Sequence, residues 1–112
     1  MKRALFIGRW QPLHPGHKWL FKQKLENGIP ILIAVRDTPV DDKNPFSTQE
    51  VIENLEAEYS EEVESGSVKI ISIPDIESVN YGRGVGYEIN EFVPPDEISR
   101  ISATKIRKNL EK

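Results

Sequence analysis

The chain has 112 residues, 38% of them hydrophobic and 29% charged, which suits a single domain over 1–112 with enough apolar side chain for a core and excludes a two-domain enzyme or a globally disordered chain. It contains no cysteine, so disulfides, thiol nucleophiles and thiolate metal sites are excluded and the reducing cytoplasm is the expected compartment. The net charge of −3 conceals a segregation: residues 1–25 balance at +6, residues 100–112 at +4 and the stretch between at −13, which suggests a local anion site built by the two ends and argues against a nucleic-acid surface, since that favours an overall basic domain.

Residues 4–7 form a short run apolar on both faces, closed by Gly8, as do residues 31–35 and, with a polar break at Lys69, residues 68–73. Such runs suit the buried strands of a parallel sheet. Between the first two, Trp19, Leu20, Phe21 and Leu25 mark a helix that Asn27-Gly28 stops. Between the second and third, Ser47 and Glu50 form a capping-box signature ahead of Val51, Ile52, Leu55 and Tyr59, and Ser65-Gly66 ends the segment. The order β-α-β-α-β predicts a single three-layer, Rossmann-like α/β domain with a mostly parallel sheet and helices on both faces. Beyond it, residues 87–93 read as a partly exposed strand, Pro94-Pro95 as a break, residues 98–101 as a short extended piece and residues 104–110 as a terminal helix. The longest apolar stretch, residues 29–35, is far short of the ~20 residues that span a bilayer. A chain that folds alone or as a small oligomer, with no membrane partner, is the expectation.

The loop Gly8-Arg9-Trp10-Gln11-Pro12-Leu13-His14-Pro15-Gly16-His17 joins the first strand to the first helix. In open parallel sheets ligands bind beyond the carboxyl ends of the strands, where this loop lies. Pro15 and Gly16 suit a helix start, whose free backbone N–H groups favour a phosphate. His14 and His17 then stand beside that phosphate, able to donate to its oxygens or, if protonated, to offset its charge. A zinc pair would want histidines four apart on a helix with a Glu between, whereas these are three apart across Pro-Gly. As a loop residue at a helix start, His17 is expected to add little to stability.

A second cluster spans residues 101–108, where Ser102 or Thr104 can cap a helix whose first turns carry Lys105, Arg107 and Lys108. Cations there oppose the helix dipole unless a bound polyphosphate reverses the sign. The Gly82-Arg83-Gly84-Val85-Gly86 stretch lacks the strand and helix context of a phosphate loop and reads as a turn. Trp10, Trp19 and Phe21 read as core or pocket wall.

The loop from Gly8 to His17 resembles the H-x-G-H signature of the nucleotidylyltransferase superfamily, and residues 101–107 resemble its I-S-x-T-x-x-R signature. Within that superfamily, Gly8 to His14 and Lys43-Asn44-Pro45-Phe46-Ser47 are most similar to nicotinamide mononucleotide adenylyltransferases, over residues 1–73 and 98–108. Two departures stand out: Val51 follows the helix-start Glu where those enzymes commonly place Arg, and residues 75–95 replace a longer acceptor-holding segment. Compact cytidylyltransferases of the glycerol-3-phosphate type are the nearest enzymatic rival, and a nucleotide-binding module without turnover is the alternative of another class. The resemblance implies transfer of an adenylyl group from ATP to a phosphorylated small-molecule acceptor. His14, His17 and Arg107 would be catalytic. Gly8, Arg9, Trp10, Gly16, Lys18, Ser102 and Thr104 would bind the nucleotide, and Mg²⁺ would be carried on the phosphates with no protein metal cage.

Overall fold

A computed structural model describes residues 2–82, 86 and 88–93. The elements run β1 (Ala4–Gly8), α1 (Pro15–Leu25), β2 (Ile31–Asp37), α2 (Thr48–Glu58), α3 (Ser60–Ser65) and β3 (Val68–Pro74). The strands form a parallel sheet in the order β1-β2-β3, so the predicted α/β class and β-α-β-α-β order are present. Rows Ala4↔Ile31↔Val68 and Phe6↔Ile33↔Ile70 lie on one face; Leu5↔Leu32↔Lys69 and Ile7↔Ala34↔Ile71 lie on the other.

The first of these faces carries the core. Ile31, Ile33, Val35 and Val68 cluster there with Trp10, Phe21 of α1, and Val51 and Leu55 of α2, while Val63 of α3 packs at its margin. Each fully buried aliphatic or aromatic side chain contributes about 1.5–3 kcal/mol relative to exposure. All the described helices therefore cover the same face of the sheet. The reason is topological: right-handed crossovers that step in one direction across a sheet return their helices to one side, and covering the other needs a reversal of strand order. On the uncovered face Leu5 is 56% exposed.

Local chemistry sets the element ends. Ser47 accepts from the Glu50 N–H and Glu50 accepts from the Ser47 N–H, the reciprocal cap the sequence predicts. The second helical segment is divided at Tyr59, whose backbone leaves the helical region (φ −113°, ψ 33°) while its ring packs 5.8 Å from Phe21. Gly66 ends α3 at φ 88°, a left-handed conformation that favours glycine. Residues 88–93 lie in no helix or strand, against the expected strand over 87–93. Ile89 and Val93 are 62% and 73% exposed, so the apolar alternation meets no surface that would fix it as a strand. The extended piece at 98–101 and the helix at 104–110 lie outside the described residues, as do Ser102, Thr104 and Arg107. Among the described residues, no helix is long and apolar enough to cross a membrane.

Candidate active site

The loop after β1 is organised by Trp10. Its indole is 6% exposed and its Nε1–H donates to the Ala34 carbonyl at 3.3 Å, tying the loop to β2. A Cβ on Gly8 would stand 2.9 Å from the indole ring, so glycine ends β1 because the loop folds Trp10 back over it. Trp10 adopts φ 53°, a left-handed conformation that is unusual for a bulky residue and is held by this packing. The indole meets His17 edge-on, with centroids 4.8 Å apart. Trp10 thus belongs to the core and packs edge-on against His17, the core reading of its sequence.

His14 and His17 cap α1 reciprocally. The His14 Nδ1 accepts from the Gly16 N–H at 3.0 Å and the His17 Nδ1 accepts from the His14 N–H at 3.3 Å, a capping box written in histidine in place of Ser and Glu. The rings stack with centroids 3.7 Å apart. Because each Nδ1 accepts, each neutral ring carries its proton on Nε2. Neither Nε2 has a hydrogen-bond partner among the described residues. Burial, with the neighbouring His14 adding to it, depresses the His17 imidazole to about 3, and burial lowers His14 as well. Burial thus favours the neutral ring at both positions, the state in which Nε2–H is a donor.

The helix start itself differs from expectation. The Gly16 N–H is engaged by His14 Nδ1, and the His17 and Lys18 N–H groups both reach the His14 carbonyl, at 2.9 and 3.1 Å. Pro15 has no N–H. The expected free backbone donors are occupied, and the donors of this turn that lack a partner among the described residues are the two imidazole Nε2–H groups. The Lys18 ammonium pairs with Glu58 of α2 at 2.7 Å, so its charge is directed at a neighbouring helix.

A signal passed over in the sequence lies at Gln11 and Asn44. The Gln11 amide donates to the Phe46 carbonyl at 2.8 Å and accepts from the Phe46 N–H at 2.9 Å, as a strand neighbour would. Asn44, 6% exposed, accepts from Arg9 Nη1 at 3.2 Å and donates to Asp41 at 3.1 Å. These bonds fasten the loop over residues 38–47 to the histidine loop and hold Arg9 at the carboxyl edge of the sheet. Buried amides this far apart in the chain reveal their partners only in three dimensions; the Lys43 to Ser47 similarity was the one hint.

No family model matches the chain. Over 102 residues, 88% of the chain, it is 32% identical to the nicotinamide-nucleotide adenylyltransferase of Caldivirga maquilingensis. It is 36% identical to that of Pyrobaculum aerophilum over 101 residues, again 88% of the chain. The chain resembles the nicotinamide-nucleotide adenylyltransferases. A third relative of that name, from Thermococcus sibiricus, is 34% identical over 77 residues, 66% of the chain. The chain spans about half the length of these relatives, 56%, 55% and 41% respectively.

Proposed function

We propose that this chain is a nucleotidyltransferase that moves the adenylyl group of ATP to a phosphorylated acceptor resembling nicotinamide mononucleotide, releasing pyrophosphate in the cytoplasm. The observation that carries the reading is the reciprocal His14–His17 cap, which holds two neutral imidazoles beyond the carboxyl end of β1 with Nε2–H donors that have no partner among the described residues; the names of the relatives supply the group transferred and the acceptor.

In the reaction an acceptor phosphate oxygen forms a bond to the α-phosphorus of ATP while the bond from that phosphorus to the β-phosphate bridging oxygen breaks, and pyrophosphate leaves with that electron pair. Charge accumulates on the non-bridging α-oxygens as phosphorus becomes five-coordinate. A pre-oriented donor at that position stabilises the transition state without reorganising, and His17 is cast in that role, with His14 beside it on the triphosphate. Arg9, fixed by Asn44, adds positive charge. Ser102, Thr104 and Arg107 would close over the β- and γ-phosphates, with Gly8 and Gly16 allowing close approach of backbone. Lys18 would contribute if released from Glu58. Mg²⁺ would be carried on the substrate phosphates, where it would neutralise their charge.

The test is pyrophosphate release from ATP and nicotinamide mononucleotide, with CTP and glycerol 3-phosphate in parallel. His17→Ala is expected to lower turnover at least ~100-fold while ATP affinity changes little. Turnover that survives the substitution rejects His17 as the transition-state donor. Turnover with CTP alone would move the chain to the cytidylyl branch, and ATP binding without turnover on any acceptor would make it a binding module.

A further inference from the structure

The carboxyl edge of the sheet carries a second cation that the histidine loop does not use. Arg36 is the penultimate residue of β2, one step beyond the row Gly8↔Val35↔Ser72. Its Nε and Nη2 both donate to Asp75 Oδ1, at 2.9 and 2.6 Å, and the Ile76 N–H donates to the same oxygen at 3.0 Å. Asp75 directly follows β3 and opens the short stretch that stands in for the acceptor-holding segment.

This ion pair is poorly suited to a purely structural purpose. The Asp75 side chain is 52% exposed against 29% for Arg36, and pairs open to water add little to stability. A guanidinium is a planar fork that fits two oxygens of a phosphate or carboxylate side by side. Here both donors crowd onto one carboxylate oxygen, and Nη1 has no partner among the described residues. Arg9, at the end of the adjacent strand, bears on the same place: Asp75 is held below the usual carboxylate range by the Arg36 hydrogen bond above all, with the charge of Arg9 also felt. A phosphate monoester, with three oxygens and up to two charges, meets this set of groups better than the carboxylate does.

We propose that Arg36 binds the phosphomonoester of the acceptor and that the exposed Asp75 carboxylate occupies that position until the acceptor displaces it. The inference rests on the adenylyl-transfer reading of the histidine loop and adds where the second anion sits. A carboxylate that competes for the site lowers the apparent affinity of the incoming phosphate, so its removal should tighten binding. A carboxylate that merely orients Arg36 would have the opposite effect when removed.

Calorimetric titration of the full chain with nicotinamide mononucleotide, nicotinamide riboside and ATP separates these outcomes. Arg36→Ala is expected to weaken nicotinamide mononucleotide at least ~10-fold, and Arg36→Lys, which keeps the charge and loses the fork, to weaken it by less. Asp75→Asn is expected to tighten it several-fold. Neither the riboside, which lacks the phosphate, nor ATP should respond to any of the three. Equal losses for ATP and nicotinamide mononucleotide in Arg36→Ala, or weaker binding in Asp75→Asn, would overturn the proposal, and unchanged melting temperatures verify that the variants are folded. Binding of glycerol 3-phosphate in place of nicotinamide mononucleotide, still dependent on Arg36, would uphold the site and reject the acceptor. ATP binding with no phosphomonoester bound would reject the site and leave the donor reading standing.

Discussion

His14 and His17 do at the start of α1 what Ser47 and Glu50 do at the start of α2, and the choice of residue sets what is left over. A Ser–Glu box uses its side-chain oxygens and places a carboxylate at the turn; a His–His box uses only the Nδ1 atoms and leaves two N–H donors. The same geometry keeps the rings neutral, since two imidazoles stacked 3.7 Å apart cannot both take up protons without repulsion. The His17 pKa falls from 6.5 to about 3, so below pH 6.5 the unfolded chain binds a proton that the folded chain refuses. This contribution to stability is complete above pH 6.5 and is lost as pH falls toward 3, and His14 is shifted in the same direction. Between pH 7 and 5, above the range where carboxylates titrate, the midpoint of urea unfolding should therefore fall, and fall less in His17→Asn. The ring-proton resonances of His17 should show no titration step near 6.5 in the folded protein. A full titration step there would return a charged imidazole to the site. Small stability effects at His17 are no longer the expectation, because its ring both caps α1 and packs against Trp10.

At the scale of elements, the histidine loop is shaped as much by the loop over residues 38–47 as by β1 and α1. Gln11 supplies the Phe46 peptide with both of its hydrogen bonds, and a buried peptide that loses its partners costs about 1–3 kcal/mol per orphaned group. Gln11→Leu is expected to destabilise the fold by about that amount for a single group, as water recovers part of the loss. It should also speed hydrogen exchange at the Phe46 amide well beyond any change in the β2 amides. Equal acceleration across β2 would mean that Gln11 supports the whole sheet and has no special hold on this loop. The strands and both capping sites were legible because their signals are local: apolar runs, Ser-x-x-Glu, Asn-Gly. The cross-loop clamp was not, because nothing near Gln11 or Asn44 in sequence announces a partner 35 residues away.

At the scale of the molecule, three strands and the helices on one face leave Leu5 and its row against no described helix, in a chain about half as long as its relatives. Arg9, Arg36 and both histidines lie toward the carboxyl edge of the sheet. No cysteine is available for a covalent intermediate. The Nδ1 of each histidine is occupied by a backbone N–H, and among the described residues no carboxylate orients either ring as an activated nucleophile would require. Direct displacement by the acceptor is the expected course, with both substrates bound before pyrophosphate leaves. Labelled pyrophosphate should then enter ATP only when acceptor is present; exchange with ATP, Mg²⁺ and protein alone would demonstrate a nucleotidyl-histidine.

The sequence by itself determined the α/β class, the positions of β1, β2 and β3, the capped start of α2, and the resemblance carried by the loop from Gly8 to His17. Each of these depends on residues within a turn or two of one another, so the physics that selects them is visible in a short window. Only the tertiary structure decided that the described helices share one face, because that follows from strand order. The neutral Nε2–H tautomers were also settled there, since burial against Trp10 and stacking on the partner ring set the protonation of His17. The same holds for the edge cations: Lys18 is drawn to Glu58, Arg9 to Asn44 and Arg36 to Asp75 by chain segments that folding brings together across 35 residues or more in every case.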